Sequence, residues 1–291
     1  MNTIRAIQHE FAAKSTREGA GVLLKRVFGY HQVPLFDPFL LLDDFHSENP
    51  DDYSKGFPWH PHRGIETITY LLFGRVEHMD SLGNKGIIRA GDAQWMTAGS
   101  GIIHQEMPQG EENGRLWGIQ LWSNLPSAQK MTQPQYREIK KEDIPVVTLD
   151  SEAKIRIISG KMSGVQGPVQ GISSEPELYD ISLPPHASIH HDFTEEHTVF
   201  AYILEGNGFF APGAMHPTLP EHVVLFSKGK AFSISTEEDP VRFLLVGGKP
   251  FSEPVAWSGP IVMNTEAELR QAFEEYRNGT FLQHASTKTF A

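Results

Sequence analysis

The chain contains no cysteine among its 291 residues. Disulfides, thiolate ligands and thiol nucleophiles are therefore excluded together, and any metal must sit on nitrogen and oxygen donors. Positive charge is scarce: 25 Lys and Arg stand against 36 Asp and Glu, a net charge of −11, and no basic block occurs. That balance argues against a broad phosphate-binding surface and against direct nucleic-acid binding, but not against binding another protein. Long apolar runs are missing as well, none approaching the roughly 18 uninterrupted residues of a spanning helix. The N-terminal stretch MNTIRAIQHEFAAKSTREG carries charges throughout, unlike a signal peptide. The expectation is a soluble, cytoplasmic protein with no membrane contact, for which a nuclear location would also fit in a eukaryotic cell. Neither a P-loop, a dinucleotide-binding glycine fingerprint nor a G-x-S-x-G nucleophile elbow is present.

What the chain does have is punctuation. Its 20 prolines and 26 glycines separate short runs rich in Val, Ile, Thr, Phe and Tyr, the pattern of a mostly antiparallel β protein of the sandwich or barrel kind. Strands are expected over residues 22–28, 66–73, 86–89, 93–97, 102–107 and 116–122, with a comparable set over 154–160, 178–183, 198–204, 222–226, 231–235 and 241–246. The second set reads as a worn copy of the first, because YLLFG at Tyr70 matches YILEG at Tyr202. The length allows two domains. The charged run REIKKED before Pro145 places the expected boundary so that residues 1–140 and 141–291 form the two halves. One helix is written clearly in NTEAELRQAFEEYRNG: Thr265 caps, Glu268 closes a capping box, Leu269, Phe273 and Tyr276 form an apolar face, and Gly279 stops it.

The chemistry is concentrated in two clusters. In HPHRGIETITY, His60 and His62 alternate, so on a strand they share a face, and the same parity extends to Glu66. In GSGIIHQEMP, His104 and Glu106 alternate just after Gly99 and Gly101. Three imidazoles and a carboxylate from neighbouring strands form a donor set for a divalent metal. Spacing alone leaves either Glu66 or Glu106 as the carboxylate. By the duplication, Asp192, Thr194, Ile234 and Thr236 stand where His60, His62, His104 and Glu106 stand in the first half, so the second half cannot rebuild the site. His190, His191 and His197 are expected in a solvated loop. His9, His31, His46, His78, His216 and His284 are expected to be ordinary surface or satisfied residues. Trp59 and Phe57 flank the motif and are expected to shape the cavity. By parity Arg63 points away from the ligand face and is expected in a structural ion pair.

These residues resemble the pirin family of the cupin superfamily. The first general cupin motif is met by His60, His62, Glu66 and Gly74, and the second by Gly91, Gly99, Gly101 and His104. More specific marks are HPHRGIETITY, DPFLLLDDF at 37–45, GSGIIHQEMP and GPIVMNT at 259–265. The Glu66 to Gly74 spacing is one residue longer than the general cupin pattern, and Thr97 stands where that pattern has proline, but neither change touches a ligand. The resemblance implies an all-β bicupin of two stacked antiparallel β-barrels with a C-terminal helix, metal being held in the first barrel alone. It implies His60, His62, His104 and Glu106 as ligands, choosing Glu106 over Glu66, which becomes structural. It further implies Fe(II), with other divalent first-row ions able to bind. The implied activity is a quercetin 2,3-dioxygenase acting on a flavonol and O2, with Glu106 as the catalytic base. The alternative implied by the family is an iron- or redox-sensing protein that regulates through a protein partner.

Overall fold

The computed structural model describes residues 4–284, and the chain divides into two compact units. One unit contains Lys14–Pro34, Phe39–Lys141 and the chain from Ser252 onward; the other contains the segment ending at Ala13, Leu35–Pro38 and Glu142–Phe251. The units therefore exchange segments relative to a single cut between residues 140 and 141. The physical reason is strand pairing. Ile7–Ala12 hydrogen-bonds to His222–Phe226 and joins the second unit, whereas the C-terminal hairpin bridges to Arg63 in the first.

In the first unit, seven antiparallel strands run in the order Gln135–Ile139, Ala93–Thr97, Ile65–Phe73, Leu116–Asn124, Phe39–Ser47, Val22–Phe28, Lys14–Glu18. A four-stranded sheet runs Phe57–His62, Ile102–Gln109, Arg75–Asp80, Lys85–Arg89. The second unit has its own seven-stranded sheet, including Glu177–Leu183, Thr198–Gly206 and Val241–Gly248, with the pair Ser188–Asp192 and Ala231–Ser235 apart from it. The all-β cupin architecture is as expected, but the barrels are not closed: in each unit the strands fall into separate sheets. Closure requires continuous pairing around the ring, and here the sheet edges do not join.

Several first-unit strands lie outside those expected from the sequence, and for two of them the reason is identifiable. Phe39–Ser47 is buried along most of its length and so shows no alternation. Phe57–His62 contains Pro58 and Pro61, residues that argue against a strand unless it lies at an edge; it pairs on one side only, with Ile102–Gln109.

The helix forms at Glu266–Asn278 as written in the sequence. Thr265 Oγ1 accepts from the Glu268 amide at 3.2 Å, Glu268 accepts from the Thr265 amide at 2.9 Å, and Gly279 takes the left-handed conformation at φ 74°. Leu269 and Ala272 are buried against Ala256, Ile261, Met263 and Phe281, with Phe273 packed beside them. Tyr276 departs from the expected buried face: it is 40% exposed and meets Phe281 edge-on at 5.5 Å. It falls at the rim of a helix that packs on a single short hairpin.

The second unit fills its interior with apolar side chains. Tyr179, Phe193, Phe210, Phe226, Phe232 and Phe243 belong to one buried cluster. Of the positions opposite His60, His62, His104 and Glu106 by duplication, Ile234 is inside that cluster, Asp192 and Thr194 are exposed, and the Thr236 hydroxyl accepts from the Ala187 amide at 3.0 Å. Among the described residues this unit presents no group of three converging metal-ligand side chains.

Candidate metal centre

The two ligand-bearing strands are direct neighbours. Phe57–His62 pairs antiparallel with Ile102–Gln109 so that His104 lies opposite His60 and Ile102 opposite His62. The register slips between His104 and Glu106, which stands opposite Phe57. Such a bulge re-aims the side chains beyond it. Alternation brings His60, His62 and His104 to one point: a nitrogen from each lies within 4.8 Å of the others. His60 Nε2 is 3.0 Å from His62 Nε2 and 2.9 Å from His104 Nε2.

The far side of each ring explains why the Nε2 atoms face inward. His60 Nδ1 is 2.8 Å from the Pro58 carbonyl, His62 Nδ1 is 3.1 Å from the Pro260 carbonyl, and His104 Nδ1 is 3.4 Å from the Tyr136 hydroxyl. A carbonyl only accepts, so it draws the ring proton to Nδ1 and leaves the Nε2 lone pair turned toward its neighbours. Lone pairs gathered at hydrogen-bond distance repel each other, and a cation between them removes the repulsion. Burial, followed by the nearby imidazoles, holds His62 and His104 well below the ordinary histidine range. They are thereby kept in the neutral form that binds metal. The donor set thus fits a divalent first-row ion.

Glu106 lies beside this trio without belonging to it. Its buried carboxylate accepts from Gln120 Nε2 at 3.2 and 3.4 Å and from the Thr69 hydroxyl at 3.4 Å. His60, His62, Glu106 and Gln120 together border a cavity of about 590 Å³ walled by Phe57, Trp59, Trp122 and Trp257. That volume suits a small aromatic molecule. A larger groove of about 740 Å³ in the second unit, bordered by Lys154, Glu205 and Arg242, has no converging ligand set, so size alone does not mark the site.

A family model described as Pirin matches residues 21–123, and one described as Pirin C-terminal cupin domain matches residues 178–282. The chain belongs to the pirin family. A pirin-like protein from Solanum lycopersicum is 40% identical over 277 residues, covering 94% of this chain and 92% of the relative. Pirin from Homo sapiens is 38% identical over 283 residues, covering 96% and 94%. The crystal structure of a quercetin 2,3-dioxygenase from Acinetobacter baumannii matches with a TM-score of 0.88 at 33% identity, covering 96% of this chain and 99% of that one. No helix among the described residues of this pirin is long and apolar enough to cross a membrane.

Glu66 is not on the ligand face, contrary to the parity of the sequence. His62 ends one strand and Ile65 begins another in a different sheet. Between them Gly64 turns the chain at φ 78°, where an added Cβ would fall 1.9 Å from the Val262 carbonyl. Alternation cannot be counted through that turn. Glu66 is buried, with Thr97 Oγ1 donating to it at 2.8 Å, and burial pushes its carboxyl up to about 7 against the pull of Thr97 and Arg137. The folded protein therefore binds this proton more tightly than the unfolded chain, so its contribution to stability is greatest below about pH 4.5 and is lost as pH rises toward 7. Glu66→Gln should consequently stabilise the protein by about 3 kcal/mol at pH 8 and leave it unchanged at pH 4. Urea unfolding at the two pH values checks this; an equal effect at both would remove the titration as the cause.

Several other residues come out differently from, or beyond, the sequence reading. His78 is buried, not a surface residue: it stacks on Tyr136 at 5.4 Å, faces Glu106 across the strand pair, and sits 3.5 Å from the Glu138 carboxylate. Its signal was available in RVEHMD, where Val76, His78 and Asp80 alternate inward. His197 is likewise buried, while His190 and His191 lie on a strand and His191 meets Glu177 at 3.0 Å. Lys130 went unread; its ammonium donates to the Gly64 and Val262 carbonyls at 2.8 and 2.9 Å, fastening the turn after His62 to the C-terminal hairpin. Arg63 occupies the structural ion pair anticipated for it, 2.7 Å from Glu275.

Proposed function

We propose that this pirin is a metal-dependent dioxygenase that opens the flavonol ring of quercetin-like substrates with O2. The observation that carries the reading is the convergence of three imidazoles, two of which border an aromatic-walled cavity together with a buried carboxylate. The resemblance to a quercetin 2,3-dioxygenase over nearly the whole chain supports it. His60, His62 and His104 would hold the ion, with Glu106 as a fourth donor. Fe(II) is the expected ion, and other divalent first-row metals suit the same nitrogen and oxygen ligands. When bound, the ion supplies Lewis-acid and one-electron chemistry.

The protein's own groups have separable tasks. Trp122, Trp257 and Phe57 offer flat apolar walls that hold an aromatic ring system and exclude water. Glu106 is the candidate base for the substrate's 3-hydroxyl, since it borders the same cavity. Gln120, bonded to both Glu106 oxygens, fixes the carboxylate's orientation. Iron-loaded protein given quercetin in air should consume one O2 and release one carbon monoxide per flavonol lost, both oxygen atoms ending in the products. Fully metallated, folded protein that takes up no O2 would overturn this reading and put the partner-binding alternative ahead.

A further inference from the structure

The cavity has a second polar end. Arg26, Asp43, Gln120 and Thr69 are consecutive partners across four neighbouring strands, so their side chains share one face of the large sheet. Gln120 reaches Glu106, while Arg26 and Asp43 border the same cavity as His60 and His62. A small cavity of about 20 Å³ touches Asp43, Gln120 and Glu106 together. With strands about 4.8 Å apart, Arg26 stands two spacings from Gln120, roughly 10 Å along the cavity wall.

The pair is an ion pair in an expensive place. Arg26 donates to both Asp43 oxygens at 2.9 and 2.8 Å and meets Glu18 at 2.9 Å, which engages three of its five N–H groups. Asp43 is 6% exposed, and burial pushes its carboxyl up to about 6 despite the guanidinium. Apolar residues of similar volume would stabilise such a position at least as well. A carboxylate beside a guanidinium, bordering a cavity with aromatic walls, matches a phenol: the hydroxyl donates to the carboxylate, and its oxygen accepts from the remaining N–H groups.

We infer that Arg26 and Asp43 form a hydroxyl-reading clamp that sets specificity for polyhydroxylated flavonols by holding the ring hydroxyls remote from the reacting one. The inference rests on the dioxygenase reading above. It makes Arg26 and Asp43 specificity residues, with the metal ligands and Glu106 left to the chemistry.

The test is anaerobic titration calorimetry of the metal-loaded protein with quercetin and with 3-hydroxyflavone, which keeps the reacting hydroxyl and lacks the others. Quercetin should bind at least tenfold more tightly. Asp43→Asn should weaken quercetin about tenfold and leave 3-hydroxyflavone within about twofold, and Arg26→Lys, which keeps the charge but loses the planar fork, should do the same. Equal affinities on the unaltered protein, or variants that weaken both ligands alike, overturn the clamp; the unaltered protein decides even if a variant fails to fold. Binding of neither flavonol instead overturns the dioxygenase reading itself.

Discussion

His104→Ala should abolish tight metal binding and reduce flavonol turnover by more than about 100-fold, while the fold survives. Losing even a residue that only supports a ligand commonly costs 10–100-fold in metal affinity or activity, and His104 is one of the three converging imidazoles. Its Nε2 lies 2.9 Å from His60 Nε2, and His60 and His62 alone would leave an ion two nitrogen donors. The imidazole is itself buried and held neutral, so its removal takes no charge from the core. The secondary structure and unfolding midpoint of metal-free protein should therefore change little. Metal content by elemental analysis, O2 uptake and circular dichroism on the same preparation check the three parts together. A His104→Ala protein that keeps one tightly bound ion would remove this histidine from the site.

Arg63→Ala should destabilise the metal-bearing unit by about 3–5 kcal/mol, the usual consequence of removing one partner from a buried ion pair. Arg63 is 2% exposed and donates to the Ser100 carbonyl at 2.7 Å, the Phe281 carbonyl at 2.8 Å and Glu275 at 2.7 Å, with its guanidinium 4.3 Å from the centre of the Phe281 ring. One side chain thus joins the glycine turn before His104, the C-terminal helix and the segment after it. Its loss takes a donor from the Ser100 and Phe281 carbonyls and leaves the Glu275 carboxylate with the Gln271 amide. The Pro260 carbonyl that faces His62 belongs to the hairpin on which that helix packs, so metal affinity should fall as well. Chemical denaturation with and without metal measures both effects. Arg63→Lys should recover only part of the stability, because an ammonium cannot reach three acceptors set in a planar fork.

The local half of this protein was legible because local rules govern it. His60 with His62, and His104 with Glu106, alternate on real strands, and the capping box from Thr265 to Glu268 formed as written. The loss of ligand types at Ile234 and its neighbours followed from a short internal match. Counting failed wherever the chain turned between two counted residues. Glu66 lost its expected face at Gly64, and Tyr276 kept its helical position but found no neighbour broad enough to cover it. His78 obeyed the same inward alternation as Val76 and Asp80, but RVEHMD carries a single imidazole; its meaning comes from Glu106 across the strand pair.

The sequence by itself determined the classes of chemistry open to this chain. Lacking cysteine, it left only nitrogen and oxygen donors, and its alternating histidines set which rings could share a face. Those properties depend on residue type and on a two-residue period, both of which are local. Tertiary structure decided the rest: which strands became neighbours, that the C-terminal hairpin supplies the carbonyl behind His62, and that Arg26, Asp43 and Gln120 line up across one sheet. Those relations join residues as many as 198 positions apart. They arise from strand register and chain reversal, which no local period encodes.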